Sequence, residues 1–179
     1  MPTWIALFRG INVGGHNRLP MVDLAHTLEV TGLRSVRTYI QSGNVIFESS
    51  STSKRNIAKQ LSDAVEDSFK FRPGVLVLSG DELSAAIDRN PYTEATVDPK
   101  TLHFYFLETV PDLPPDEAIS KMAKSTERYR LIDTVFYLHA PDGVGRSKLA
   151  SGIERQLGIP TTARNYNTVA RLAMMLDVG

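Results

Sequence analysis

Two successive stretches of the chain run through the same order of hydrophobic periodicities, and that repetition limits the fold more than any other feature. The first opens with Thr3-Trp4-Ile5-Ala6-Leu7-Phe8, apolar at nearly every position, the pattern of a central strand or of one covered on both faces. Met21, Leu24, Ala25 and Leu28 then recur at the three-four spacing of one helical face, with Pro20 suited to the start and Gly32 to a left-handed stop. Val36, Thr38 and Ile40 alternate with Arg37, Tyr39 and Gln41; after Ser42-Gly43, the run Val45-Ile46-Phe47 predicts the second arm of a hairpin. Ile57, Leu61, Ala64 and Val65 mark a second amphipathic helix ending near Phe69, and Val75 to Leu78 a fourth strand. The order β-α-β-β-α-β is that of the ferredoxin-like plait, in which two helices cover one face of a four-stranded antiparallel sheet.

The order then begins again. Ser79-Gly80-Asp81-Glu82 places serine three residues before glutamate, a capping box for a helix carrying Leu83, Ala86 and Ile87 and broken at Asn90-Pro91. Past the polar segment from Tyr92 to Lys100, Leu102, Phe104 and Phe106 alternate with His103 and Tyr105 as a new strand. A loop marked by Pro111, Pro114 and Pro115 leads to a short helix near Glu117 to Lys124. Tyr129-Arg130-Leu131 and Val135 to Leu138 flank Asp133-Thr134 as a second hairpin, and Ser147 to Leu157 is helical. Thr161 to Arg164 is short and β-prone, and Val169, Leu172, Ala173 and Leu176 form a last amphipathic helix that Asn165 is placed to cap. The expected class is therefore α+β with two ferredoxin-like (split βαββαβ) subdomains. Their expected limits are 1–79 and 101–179, joined by a helix and linker over 80–100. The halves share element order, not residue identities.

Composition narrows the function classes. Twenty Lys and Arg against twenty Asp and Glu leave no net charge, so no whole-molecule field draws the chain to nucleic acid or membrane, and any anion site is local. The absence of cysteine excludes a disulfide framework, a thiol nucleophile and a thiolate metal site, and suits a reducing compartment, with the cytoplasm as the expectation. The leading apolar run is too short for a signal peptide or a membrane span. His16, His26, His103 and His139 are scattered with no i, i+4 pair, so no metal site is expected. No G-x-S-x-G elbow, dinucleotide fingerprint or Walker loop is present, and no strand matches the aromatic motifs of RNA-recognition modules. No pattern names a cofactor or a reaction.

Four polar clusters are candidates for contact with a ligand. The segment Arg9 to Arg18 holds Arg9, Asn12, Gly14, Gly15 and Arg18 between a strand and a helix start, where backbone N–H groups and two guanidinium groups suit a phosphate or carboxylate. A plain glycine-rich turn is the competing reading. Gln41, Ser42 and Asn44 cluster at the hairpin tip, where turn chemistry alone favours Ser-Gly-Asn. In a plait this tip is expected at the edge opposite the end of the first strand, so it need not face the first cluster. Arg164, Asn165 and Asn167, around Tyr166, mark the start of the last helix, as Arg146, Ser147 and Lys148 mark that of an earlier one; ordinary caps and solvated cations are the competing reading for both.

The residues Ala6-Leu7-Phe8-Arg9-Gly10-Ile11-Asn12-Val13-Gly14-Gly15, Leu19-Pro20-Met21 and Arg37-Thr38-Tyr39-Ile40-Gln41-Ser42-Gly43-Asn44-Val45 resemble the bacterial DUF1697 family. The resemblance extends to Asn90-Pro91, Ser147-Lys148-Leu149 and Arg164-Asn165-Tyr166-Asn167-Thr168-Val169, with Tyr166 where the family pattern usually has tryptophan. It implies two ferredoxin-like subdomains and no established activity, cofactor or substrate. The functional expectation from the residues is a small anionic or nucleotide-like ligand at the Arg9 to Arg18 loop, completed by Arg164, Asn165 and Asn167. The alternative is a non-catalytic binding module for a protein or structured nucleic acid, the nucleic acid being disfavoured by the zero net charge.

Overall fold

The computed structural model describes residues 1–112 and 116–177. In the first half, β1 (Thr3–Arg9), α1 (Met21–Val30), β2 (Arg34–Tyr39), β3 (Asn44–Glu48), α2 (Lys54–Phe69) and β4 (Gly74–Ser79) form an antiparallel sheet of order β2-β3-β1-β4 with its two helices. α3 (Gly80–Asp88) and a 3-10 turn at Thr93–Val97 follow. Then β5 (Leu102–Leu107), α4 (Asp116–Met122), β6 (Arg128–Ile132), β7 (Val135–His139), α5 (Lys148–Leu157) and β8 (Thr161–Asn165) form a sheet of order β6-β7-β5-β8, before the final α6 (Tyr166–Asp177). The duplicated βαββαβ order is thus the observed architecture. Pro114 and Pro115 of the expected proline loop lie outside the described residues. The chain divides into two compact units, Met1–Ser84 with the end of the chain from Leu172, and Ala85–Arg171. No helix among the described residues is long and apolar enough to cross a membrane.

Local chemistry accounts for the element ends. Ser79 and Glu82 bond reciprocally, the Glu82 N–H to Ser79 Oγ at 3.1 Å and the Ser79 N–H to Glu82 Oε2 at 2.8 Å, so the capping box opens α3. Ser53 and Ser147 each accept an N–H bond from three residues on, at the starts of α2 and α5. Gly32, with φ +91°, follows α1 and donates to the Glu29 carbonyl.

In the first unit Trp4, Ala6 and Phe8 of β1, Val45 and Phe47 of β3, and Val75 and Val77 of β4 pack with Leu24 and Leu28 of α1 and Ile57, Leu61 and Val65 of α2. Each fully buried aliphatic or aromatic side chain contributes roughly 1.5–3 kcal/mol, and this layer fixes which way the sheet faces. Residues Ile5, Leu7, Ile46, Leu76 and Leu78, on the opposite face by their alternation, are buried as well. The second unit repeats the plan: Tyr105, Phe136 and Leu138 pack with Ile119 of α4 and with Leu149, Ile153 and Leu157 of α5.

Candidate functional site

The register of the first sheet decides where its polar loops lie. β1 runs antiparallel to β3 with Leu7 opposite Asn44, so the end of β1 and the start of β3 share one end of the sheet. The β2-β3 tip (residues 40–43) therefore adjoins the loop that leaves β1, and the expectation of a tip at the opposite edge is corrected. The error lay in assigning the tip to the opposite edge; antiparallel neighbours place the end of one strand beside the start of the next.

Asn12 makes the connection. Its Nδ2 donates to the carbonyl of Leu19 at 2.9 Å and to that of Gln41 at 2.8 Å, and its Oδ1 accepts from the Leu19 N–H at 2.8 Å. Asn17 Nδ2 donates to the Gly10 carbonyl at 2.8 Å, and the Asn12 N–H to that of Asn17 at 3.0 Å, closing the base of the loop. Asn44, fully buried, performs the same task in the tip: its Nδ2 donates to the Tyr39 carbonyl at 2.9 Å and to Ser42 Oγ at 3.0 Å. Gly43 fits where no side chain can. Its φ is +83°, and a Cβ there would lie 2.5 Å from Ile11 Cδ1 and 2.7 Å from Phe8 Cβ. The side-chain N–H groups of Asn12 and Asn44 thus build the scaffold and do not project from it.

Around that scaffold the exposed surface is polar and cationic. Arg9 ends β1 opposite Gly74 and is exposed, as are Gly14, Gly15, His16, Arg18, Gln41 and Ser42. Gly14 and Gly15 have φ of +57° and +79° and nothing within 4 Å of an added Cβ, so conformation alone demands glycine there. Arg37, half-buried, lies on β2 opposite Ile46, three residues before the tip. No acidic residue occurs in residues 1–22, which hold Arg9 and Arg18, or in residues 30–47, which hold Arg34 and Arg37. A chain with no net charge therefore has four arginines on two acid-free segments that the fold joins at one end of a sheet. Arg34 lies toward the other end, opposite Glu48. This distribution was readable in the sequence, but its meaning required knowing that the two segments meet.

Val13 and Ile40 are not among the residues that the sequence marks for ligand contact. Val13 is 64% exposed at the loop tip and Ile40 is 49% exposed at the hairpin tip. Ile40 also has φ +49°, whereas the other non-glycine residues in this conformation are Asn12, Asn17, Ser35, Lys70 and Asp133. Among the described residues it is the one β-branched side chain held left-handed, a conformation that costs about 1–2 kcal/mol. In sequence it continues the alternation of Val36 and Thr38, and nothing local marks it as a turn residue.

The C-terminal candidates belong to the second unit. Arg164 lies on β8 opposite Phe104, and its Nη1 donates to the Ala163 carbonyl at 2.8 Å; burial pulls its guanidinium down to about 10, which leaves it charged at neutral pH. Asn165 Oδ1 accepts from the Thr168 N–H at 3.1 Å, capping α6 as expected, and Asn167 is exposed. Tyr166 packs on Phe104, ring centroids 5.9 Å apart. Beside β7, Arg128 lies over the Tyr92 ring, pairs with Glu94 and donates to His139 Nδ1. Among the described residues no cluster of His, Asp and Glu side chains is arranged to hold a metal ion.

No curated protein matches the chain in sequence. Among solved structures it is similar to the conserved bacterial protein SP0830 from Streptococcus pneumoniae, with 24% identity, a TM-score of 0.68 and 98% of either chain covered, a likeness of fold. The family model described as protein of unknown function (DUF1697) matches residues 1–137, a span that includes both the Arg9 to Arg18 loop and the β2-β3 tip, and the chain belongs to the DUF1697 family.

Proposed function

We propose that the loop and hairpin end of the first unit is a recognition surface for anionic groups, presented by Arg9, Arg18 and Arg37 on the scaffold held by Asn12 and Asn44. The observation that carries this reading is the Asn12 bridge to Gln41, because it joins two arginine-bearing, acid-free segments into one surface. Arginines on segments that carry no acidic residue of their own raise the local potential even where the net charge is zero. The binding-module alternative is the version we favour over a small nucleotide-like ligand. A small molecule needs roughly 70–90% of its surface buried for tight binding, and Arg9, Arg18, Gln41 and Ser42 lie on the exposed surface. Arg164, Asn165 and Asn167 are not needed for this reading. A cytoplasmic setting is part of it, on the cysteine-free composition.

The test is an NMR titration of the isotopically labelled chain with hexaglutamate and, separately, with inorganic pyrophosphate. Amide shifts confined to Gly10–Arg18 and Gln41–Gly43, reduced in Arg18→Ala and Arg37→Ala and by added salt, are the expected result. Shifts elsewhere, or none with either probe, reject the proposal.

A further inference from the structure

We infer that the occupant of this surface is an extended acidic peptide segment carrying aliphatic side chains, and that Ile40, with Val13, is its apolar contact. The inference rests on the anion-recognition reading above and goes further by naming the partner chemistry.

The tip is closed by the Gly43 N–H on the Ile40 carbonyl, by Asn44 on Tyr39 and Ser42, and by Asn12 on Gln41. All of these use backbone atoms or the side chains of other residues, and the isoleucine side chain is half in water. Asparagine or glycine would adopt φ +49° with less strain and leave less apolar surface exposed. A β-branched residue kept in a strained backbone conformation points to a role outside the fold itself. Val13 follows Asn12 and Ile40 precedes Gln41, so the Asn12 bridge ties together the two stretches of chain that carry these exposed aliphatic residues.

Chemistry then selects the partner. Arg18 and Arg37 favour negative charge, and Ile40 and Val13 favour an apolar group within a few residues of it. The phosphates of a nucleic acid, and its bases by stacking on guanidinium planes, meet the first demand but leave the aliphatic side chains of Ile40 and Val13 without an apolar partner. A peptide alternating carboxylates with aliphatic residues meets both demands.

The test compares three probes on the full chain by NMR titration: a capped peptide alternating Glu with Leu, one alternating Glu with Gly, and a short oligo-dT. We expect the leucine peptide to bind about five- to ten-fold more tightly than the glycine peptide, from partial burial of one or two aliphatic side chains. Ile40→Asn should bring that ratio close to one and Ile40→Leu should keep it, while Arg18→Ala weakens both peptides alike. A ratio near one in the unaltered chain, or a ratio unmoved by Ile40→Asn, overturns the inference and leaves the anionic reading standing. Tighter binding of oligo-dT than of the leucine peptide overturns it in favour of nucleic acid. Failure of both peptides and of pyrophosphate removes the anionic reading and the inference with it.

Discussion

The side-chain amide of Asn12 lies 2.8 Å from the carbonyl oxygen of Gln41, 29 residues further along the chain. With its two bonds to Leu19, this contact makes one asparagine the fastener of two loops. Asn12 itself has φ +52°, which asparagine tolerates better than most residues. Asn12→Ala removes all three bonds and leaves two carbonyls and one N–H to find water. A loss of roughly 2–3 kcal/mol is expected at about 1 kcal/mol per bond, measured by urea denaturation. Amide exchange should quicken at residues 10–19 and 40–43 together, and quickening in only one of these segments would show that they are not coupled.

Two glycines in the same end of the sheet separate conformation from packing. Gly43→Ala adds a left-handed penalty and a collision with Ile11 and Phe8, so about 3 kcal/mol or more should be lost. Gly15→Ala adds the penalty alone, with nothing within 4 Å, and should cost about 1 kcal/mol. Equal losses in thermal or urea unfolding would contradict the contact between the tip and Ile11.

Ile40→Asn should stabilise the chain by roughly 1 kcal/mol, because it relieves the left-handed strain and exposes less apolar surface. For a chain of this length that is a rise of about 2–4 °C in melting temperature. A fall in melting temperature would mean that the isoleucine supports the fold, and would remove the reason for giving it a role in recognition.

His103 supplies a pH dependence. It lies on β5 beside Leu138 and Asn165, burial pushes its pKa down to about 4 against a weaker opposing effect of the Thr101 backbone, and Nδ1 has no partner among the described residues. The folded state therefore prefers the neutral ring. Above pH 6.5 both states are neutral and nothing is lost; as pH falls from 6.5 towards 4 the unfolded chain takes up the proton first and stability declines. The total is on the order of 3 kcal/mol, with a slope of at most about 1.4 kcal/mol per pH unit. Unfolding free energies at pH 7, 6 and 5 should fall in the unaltered chain and stay nearly level in His103→Met. His139 is lowered too, by burial and then by Arg128, but it is only partly buried and should add less. Parallel pH profiles for the two chains would refute the assignment to His103.

Much of the fold was legible because periodicity and caps are local. Thr3 to Phe8, Leu102 to Phe106 and the helical faces announce their elements in windows of a few residues, and Ser79, Glu82 and Asn165 cap where the sequence places them. The order of those elements then leaves the plait as the natural arrangement of each half, and the observed sheets follow it.

The candidate site was legible only in pieces, since Arg9, Arg18, Gln41 and Ser42 stand out as polar residues in turns while nothing in their own neighbourhood says that they meet. Strand register decided that, by setting Leu7 opposite Asn44, and it turned the amides of Asn12 and Asn44 inward as fasteners. Tertiary structure also decided the standing of Ile40, which reads as one more apolar residue of an alternating strand until its φ and exposure are known. The sequence by itself determined which segments are strands and helices, because those preferences act between near neighbours; only the tertiary structure decided which loops become one surface, because that depends on hydrogen bonds between segments distant in the chain and on which side chains the packed sheet leaves in water.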